Sequence, residues 1–303
     1  MPSMRDIKGR IRSVTTTRKT TKAMNLVASS KLQRAKQKLN RNNPYFKQME
    51  DVISGVVLNC DDIRHPYFQN YDNRRAKRCL VVIVANDRGL CGGYNINVCK
   101  KGKELADRLV SERKDVLIYP IGKKARDFFR STQFQMLNWK PRTSENPNYE
   151  DAELIFKEIL EHYDTSESET AAENPIDEIH MVYTEFISAI NYIPTARMLL
   201  PLSHDEFKKK EGNKTKARGL MRLEPSPKAV LDYAIPKYVT NIIYYALSNS
   251  AAAGQGATMA AMDSATENAD GIIGDLTLMY NRARQGAITQ EISEIVGGAN
   301  ALA

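Results

Sequence analysis

The sequence predicts an α/β domain with a mixed sheet, inserted between two long terminal helices that pair as an antiparallel coiled coil. Three observations carry this. No proline occurs after Pro236, and the stretch that follows reads as one helix of about 100 Å at 1.5 Å per residue. Residues 4–40 carry an unbroken heptad pattern. Between them, short β-branched runs alternate with helical patterns, the order of a strand–helix layered domain.

The C-terminal helix organises the rest. A rod that long cannot bury itself in a compact core, so it needs a lengthwise partner. Ala265, Ala269, Ile272, Leu276, Met279 and Ala283 follow at steps of four and three, the spacing of a coiled-coil seam. Three of the six are alanine, which allows close backbone approach. The matching stretch lies at the other end of the chain, at Ile7, Ile11, Val14, Arg18, Thr21, Asn25, Ala28, Leu32, Ala35 and Leu39. Arg18, Thr21 and Asn25 interrupt its apolar seam, and polar seam positions fix register at some cost in stability. Ser3 is the expected N-cap. Pro44 is expected to kink or briefly break the helix, with helical periodicity resuming to residue 58.

Residues 59–77 read as a linker. CLVVIVAND from Cys79 has the composition of a strand buried on both faces. A glycine-rich turn follows, then helix 97–113, strand 115–122, helix 123–131, helix 149–163, strand 176–188 and a last strand at 196–202. This is a Rossmann-like domain over residues 78–219, with polar loops at 140–148, 164–175 and 204–219. Residues 220–303 lead into and form the long C-terminal helix.

Net charge is +8, concentrated at one end. Residues 1–50 hold thirteen Lys or Arg against Asp6 and Glu50, a net of +11 that leaves the remainder at −3. The N-terminal partner should therefore be acidic: protein, nucleic acid or membrane surface. Nucleic acid would be met by Arg5, Lys8, Arg10, Arg12, Arg18, Lys19 and Lys22, but no aromatic precedes Tyr45 to stack a base. Against acidic protein loops the same residues give weak repeated contacts, suited to a surface that turns. The first nineteen residues also have the Arg-rich, acid-poor look of an organellar transit peptide, yet their helical pattern runs straight on into the next forty.

Cys60, Cys79, Cys91 and Cys99 form no CxxC pair or disulfide framework, which fits a reduced cytosolic compartment. No apolar run approaches the 18 residues of a membrane span. Gly89, Gly92 and Gly93 stand where a phosphate-binding turn would, but their spacing is G-x-x-G-G, and Asp87 would face any pyrophosphate. His65, His162, His180 and His204 are scattered without metal spacing. Cys91 has no histidine near it in sequence to activate it. No catalytic residue, cofactor or metal is expected. An α/β enzyme with a helical appendage remains the third reading, beside an interaction shaft and a nucleic-acid-binding coiled coil.

RKTTKAM (18–24), VASSKL (27–32), NDRGLCGGYN (86–95), IPTARMLLP (193–201) and MYNRARQGAITQEISEIVGGA (279–299) resemble the gamma subunit of F-type ATP synthases. The likeness runs in order from Met4, which implies a bacterial protein without a transit peptide. It implies a central-stalk rotor that carries torque between the membrane c-ring and the catalytic hexamer of alpha and beta subunits. Proton or sodium flow would thereby be coupled to ATP synthesis or hydrolysis. The chain would be present in single copy, peripheral on the cytoplasmic face of the cell membrane, and without catalytic residues of its own. Toward the alpha/beta hexamer the resemblance points to Arg10, Lys22, Met24, Arg284 and Gln285, and to an apolar tip of Ile288, Ile292, Ile295, Val296 and Leu302. Toward the epsilon subunit and c-ring it points to Asp87, Arg88, Leu90, Cys91, Leu220, Arg222 and Glu224. Gly254 and Thr258 depart from the Glu and Arg usual in the family, and with Gly256 they are expected to soften the helix locally.

Overall fold

In the computed structural model the described residues are 3–59, 67–68, 77–141, 143, 145–163, 175–203, 224 and 226–302. They form α1 (Met4–Asn59), β1 (Arg78–Val84), α2 (Tyr94–Ser111), β2 (Asp115–Ile121), α3 (Lys123–Arg130), β3 (Gln135–Met136), α4 (Tyr149–Leu160), β4 (Glu178–Phe186), β5 (Tyr192–Leu200) and α5 (Pro227–Leu302). Most of the expected linker, the loop segments 164–174 and 204–219, and Leu220 and Arg222 lie outside the described residues. The chain divides into two compact units, residues 30–257 and residues 1–29 with 258–303.

The larger unit is built on a five-stranded sheet of order β3-β2-β1-β4-β5. The strands are parallel except β5, which returns antiparallel to β4 through a tight turn at 188–191. The β1 residues alternate between two cores because successive side chains in a strand point to opposite faces. Cys79, Val81 and Ile83 pack with α2 and α3, while Leu80, Val82 and Val84 pack with α4 and the unit's portions of α1 and α5. α2 lies close on the sheet because Gly102 leaves room: a Cβ there would stand 2.9 Å from Ile83 Cγ1.

α1 runs through Pro44 without interruption, contrary to the expected break. The residues beyond the proline are held by packing. Phe46 stacks on Tyr238 and Tyr245, and Ile53, Val56 and Val57 are buried. Tertiary packing outweighs the lost hydrogen bond. Likewise α5 begins before Pro236, at Pro227, where proline suits the first helical position and the Ser226 hydroxyl accepts from Ala229 N at 3.2 Å.

Gly254 and Gly256 do not mark slack in α5. A Cβ at Gly254 would lie 2.5 Å from Asn86 Nδ2, and one at Gly256 would lie 2.9 Å from the Ala189 carbonyl oxygen. Both glycines let the helix backbone press against the domain, beside Ala251, Ala252, Ala253 and Ala257, all buried. The expected softening is thus replaced by close packing.

In the smaller unit, α1 and α5 run antiparallel and are pinned by the three polar seam residues. Arg18 Nη1 donates to Asp270 Oδ1 at 2.8 Å, the Thr21 and Thr266 hydroxyls meet at 2.7 Å, and Asn25 Nδ2 donates to the Met259 carbonyl at 3.0 Å. Ser3 and Asp6 close a reciprocal cap at the start of α1. On α1 the expected seam is the least exposed face throughout. On α5 the seam is corrected. Met262, Thr266, Ala269, Ile273, Leu276, Tyr280, Ala283 and Ala287 form the sheltered row, whereas Ile272 and Met279 are about half exposed.

Candidate partner-contact surfaces

The first surface lies on the smaller unit. α1 presents Arg10 and Lys22 to solvent, with Met24 half-buried against the seam. Next to them Leu26 and Val27 are 65% and 56% exposed, a solvent-facing apolar pair that the heptad reading passed over. Their signal was present: two bulky apolar residues standing off the seam between Asn25 and Ala28. On α5, Arg284 and Gln285 are exposed, and from Ile288 through Gly297 every residue is exposed. Ile292 and Ile295 are 56% and 72% exposed, and Ile288 and Val296 about half. Together they make an exposed apolar patch, the kind of surface that marks a contact site. The side chain of Leu302 lies outside the described residues.

A second surface surrounds the turn after β1. Its polar groups are mostly spent on the turn itself. The Asp87 carboxylate accepts from Lys123 N at 2.9 Å, closing the start of α3. Asn95 accepts from Asn86 N through Oδ1 and donates through Nδ2 to the Arg88 carbonyl at 3.0 Å. Tyr94 donates its hydroxyl to the Ser250 carbonyl of α5 at 2.9 Å. Leu90 and Gly92 take positive φ, 62° and 55°, so the loop crest turns outward and carries Leu90 into solvent. Arg88 is exposed and reaches Glu145 at 3.4 Å. Cys91 is only 2% exposed, its sulfur taking the Asn95 amide, and burial pushes its thiol pKa up. Of the residues read as a contact here, Arg88 and Leu90 offer side chains and Cys91 does not. Glu224 is exposed.

The fold also assembles a group with no trace in sequence spacing. Cys79, Glu178 and His180 meet on adjacent strands, their ligand-type atoms within 4.8 Å of one another. Glu178 Oε2 accepts from Lys114 Nζ at 2.9 Å, His180 Nε2 at 3.2 Å and Cys79 Sγ at 3.3 Å. Those hydrogen bonds, His180 first, hold the carboxyl at about 2 against the opposing effect of burial. Burial, with the neighbouring carboxylate, pushes the Cys79 thiol far above its usual range. With an ammonium already on the shared oxygen, this is a hydrogen-bonded hub that ties β1, β4 and the α2–β2 loop.

Among the described residues no helix is long and apolar enough to cross a membrane. A family model described as ATP synthase matches residues 3–302. The chain is 44% identical to the ATP synthase gamma chain of Alkaliphilus metalliredigens, covering 99% of this chain and 98% of that one. It is 37% identical to the gamma chain of Acetobacterium woodii, named as sodium ion specific, over 99% of each. In fold it resembles a chain of the Euglena gracilis mitochondrial ATP synthase, OSCP/F1/c-ring, with TM-score 0.66, 16% identity and coverage of 99% and 94%. Matched along its whole length to a single type of subunit, the chain belongs to the ATP synthase gamma-chain family.

Proposed function

We infer that the chain is the rotor shaft of an ATP synthase central stalk, carrying torque between the c-ring of the membrane sector and the alpha/beta hexamer. The observation that carries this reading is the whole-length family match joined to an antiparallel helix pair whose C-terminal end stands bare and apolar. Family membership displaces the nucleic-acid reading of α1, and a gamma chain is a non-catalytic subunit. Catalysis belongs in this reading to the beta subunits.

The mechanism follows from surface chemistry. The apolar tip at Ile288, Ile292, Ile295 and Val296 turns in a collar of alpha and beta residues. Apolar contact is non-directional, so rotation breaks no bonds there, whereas a ring of salt bridges would act as a brake. Lower on the shaft, Arg10 and Lys22 face acidic beta segments. Exposed ion pairs of about 0.2–1 kcal/mol each can form and part as the shaft turns. Arg284 and Gln285 engage an open beta subunit. Arg88, Leu90 and Glu224 face the epsilon subunit and c-ring. The chain sits peripherally on the cytoplasmic side of the membrane, one copy per complex.

Replacing Arg284 and Gln285 together by alanine is expected to reduce ATP-driven ion pumping several-fold in reconstituted membranes, while the circular dichroism of the chain stays unchanged. Unaltered coupling would remove the role given to these two residues. Failure of the tagged chain to co-purify with alpha, beta and epsilon subunits from its native membrane would remove the rotor reading itself.

A further inference from the structure

Within the larger unit a groove of about 270 Å³ opens between α1, the loop before α4 and α5. One bank carries Lys31, Arg34 and Lys38, spaced at three and four residues and therefore in one row on α1. The other carries Glu145 and Asn146, and Ser248 of α5 stands at the floor among small apolar side chains. Three cations in a row repel each other unless something negative lies among them. The single carboxylate opposite, Glu145, already reaches Arg88 at 3.4 Å. Lys38 spends a hydrogen bond on the neutral Asn146 amide oxygen at 2.6 Å. Among the described residues no carboxylate pairs with Lys31 or Arg34.

The volume is smaller than the usual range for drug-sized ligands, which points to a compact guest. Charge calls for an anion, and a guanidinium between two ammonium groups suits the several oxygens of a phosphate.

We propose that this groove binds a phosphate-class oxyanion of up to diphosphate size, held by Lys31, Arg34 and Lys38. The guest bridges α1, α5 and the loop before α4, and so braces the sheet domain against both helices. This does not depend on the rotor reading, because the isolated full-length chain binds it.

The test is titration of that full-length chain with sodium pyrophosphate by calorimetry, at ionic strength fixed with chloride. One saturable site is expected. Lys31→Gln with Arg34→Gln should weaken it at least tenfold, while Lys36→Gln, off the row, leaves it unchanged. Circular dichroism confirms that each variant is folded. A parallel titration with ADP separates the sources: equal affinity, lost in the same variants, assigns the site to nucleotide phosphates, and weaker affinity to free diphosphate. No saturable heat, or heat that survives in the double variant, overturns the proposal.

Discussion

Glu178 concentrates much of the local electrostatics in one side chain. Its carboxyl is held at about 2 in the folded chain, below the ordinary 4.5. A carboxyl lowered by folding adds stability that is fully present above 4.5 and is lost as pH falls toward 2. Glu178→Gln is expected to lower stability at pH 7 on the order of 2–3 kcal/mol and to flatten the acid limb between pH 4.5 and 2. Urea melts across that range check both. The glycines of α5 give a second test at the same scale. Gly271 and Gly274 meet nothing within 4 Å where a Cβ would stand, whereas Gly256 meets the Ala189 carbonyl oxygen at 2.9 Å. Alanine at 271 or 274 should stabilise the helix by roughly 0.5–1 kcal/mol. Gly256→Val should destabilise by roughly 1–3 kcal/mol through overpacking. From sequence all these glycines look alike. What separates them is a hairpin turn and Asn86 arriving from distant parts of the chain, and no local pattern reports that.

The elements were legible to different degrees, and the reasons are physical. β1 and β2 announce themselves because burial on both faces leaves almost only apolar residues, as in Leu80–Val84, whereas β4 reads through its central run Met181–Tyr183. The two-residue β3 has too little sequence to carry a pattern. Pro44 and Pro236 mislead because propensity is local, while the aromatic stack on Phe46 that steadies α1 is not. On α5 the apolar residues are numerous enough to trace two stripes a residue apart, through Ile272 and Met279 or through Ile273 and Tyr280. Only the partner helix selects between them, and it selects the second. Leu276→Ala or Ile273→Ala should therefore destabilise the helix pair by about 1–2 kcal/mol. Ile272→Ala and Met279→Ala should stay within ~0.5 kcal/mol. Hydrogen exchange of the amides across residues 265–285 reads the difference directly.

At the scale of the whole molecule, the candidate surfaces were more legible than the groove. The tip motif survives in sequence as a string of isoleucines after Arg284. The groove joins residues more than two hundred positions apart, from Lys31 to Ser248, and leaves no such mark. Serine at Ile288, Ile292, Ile295 and Val296 together should leave the chain folded yet reduce its recovery in assembled complex at least tenfold. Native gel electrophoresis of membrane extracts checks this. The three polar contacts between α1 and α5 have one more consequence. A twisted pair of helices tends to shear, each sliding lengthwise past the other. A slip of seven residues along α5 would preserve the apolar rhythm but set Thr21 against Met259 or Ile273 instead of Thr266. Each hydroxyl keeps the carbonyl of its own helix, so such a slip forfeits the cross-helix contact alone, about 0.5–1.5 kcal/mol. The rungs at Arg18, Thr21 and Asn25 thus act as detents, so that wind-up goes into elastic torsion and not into creep.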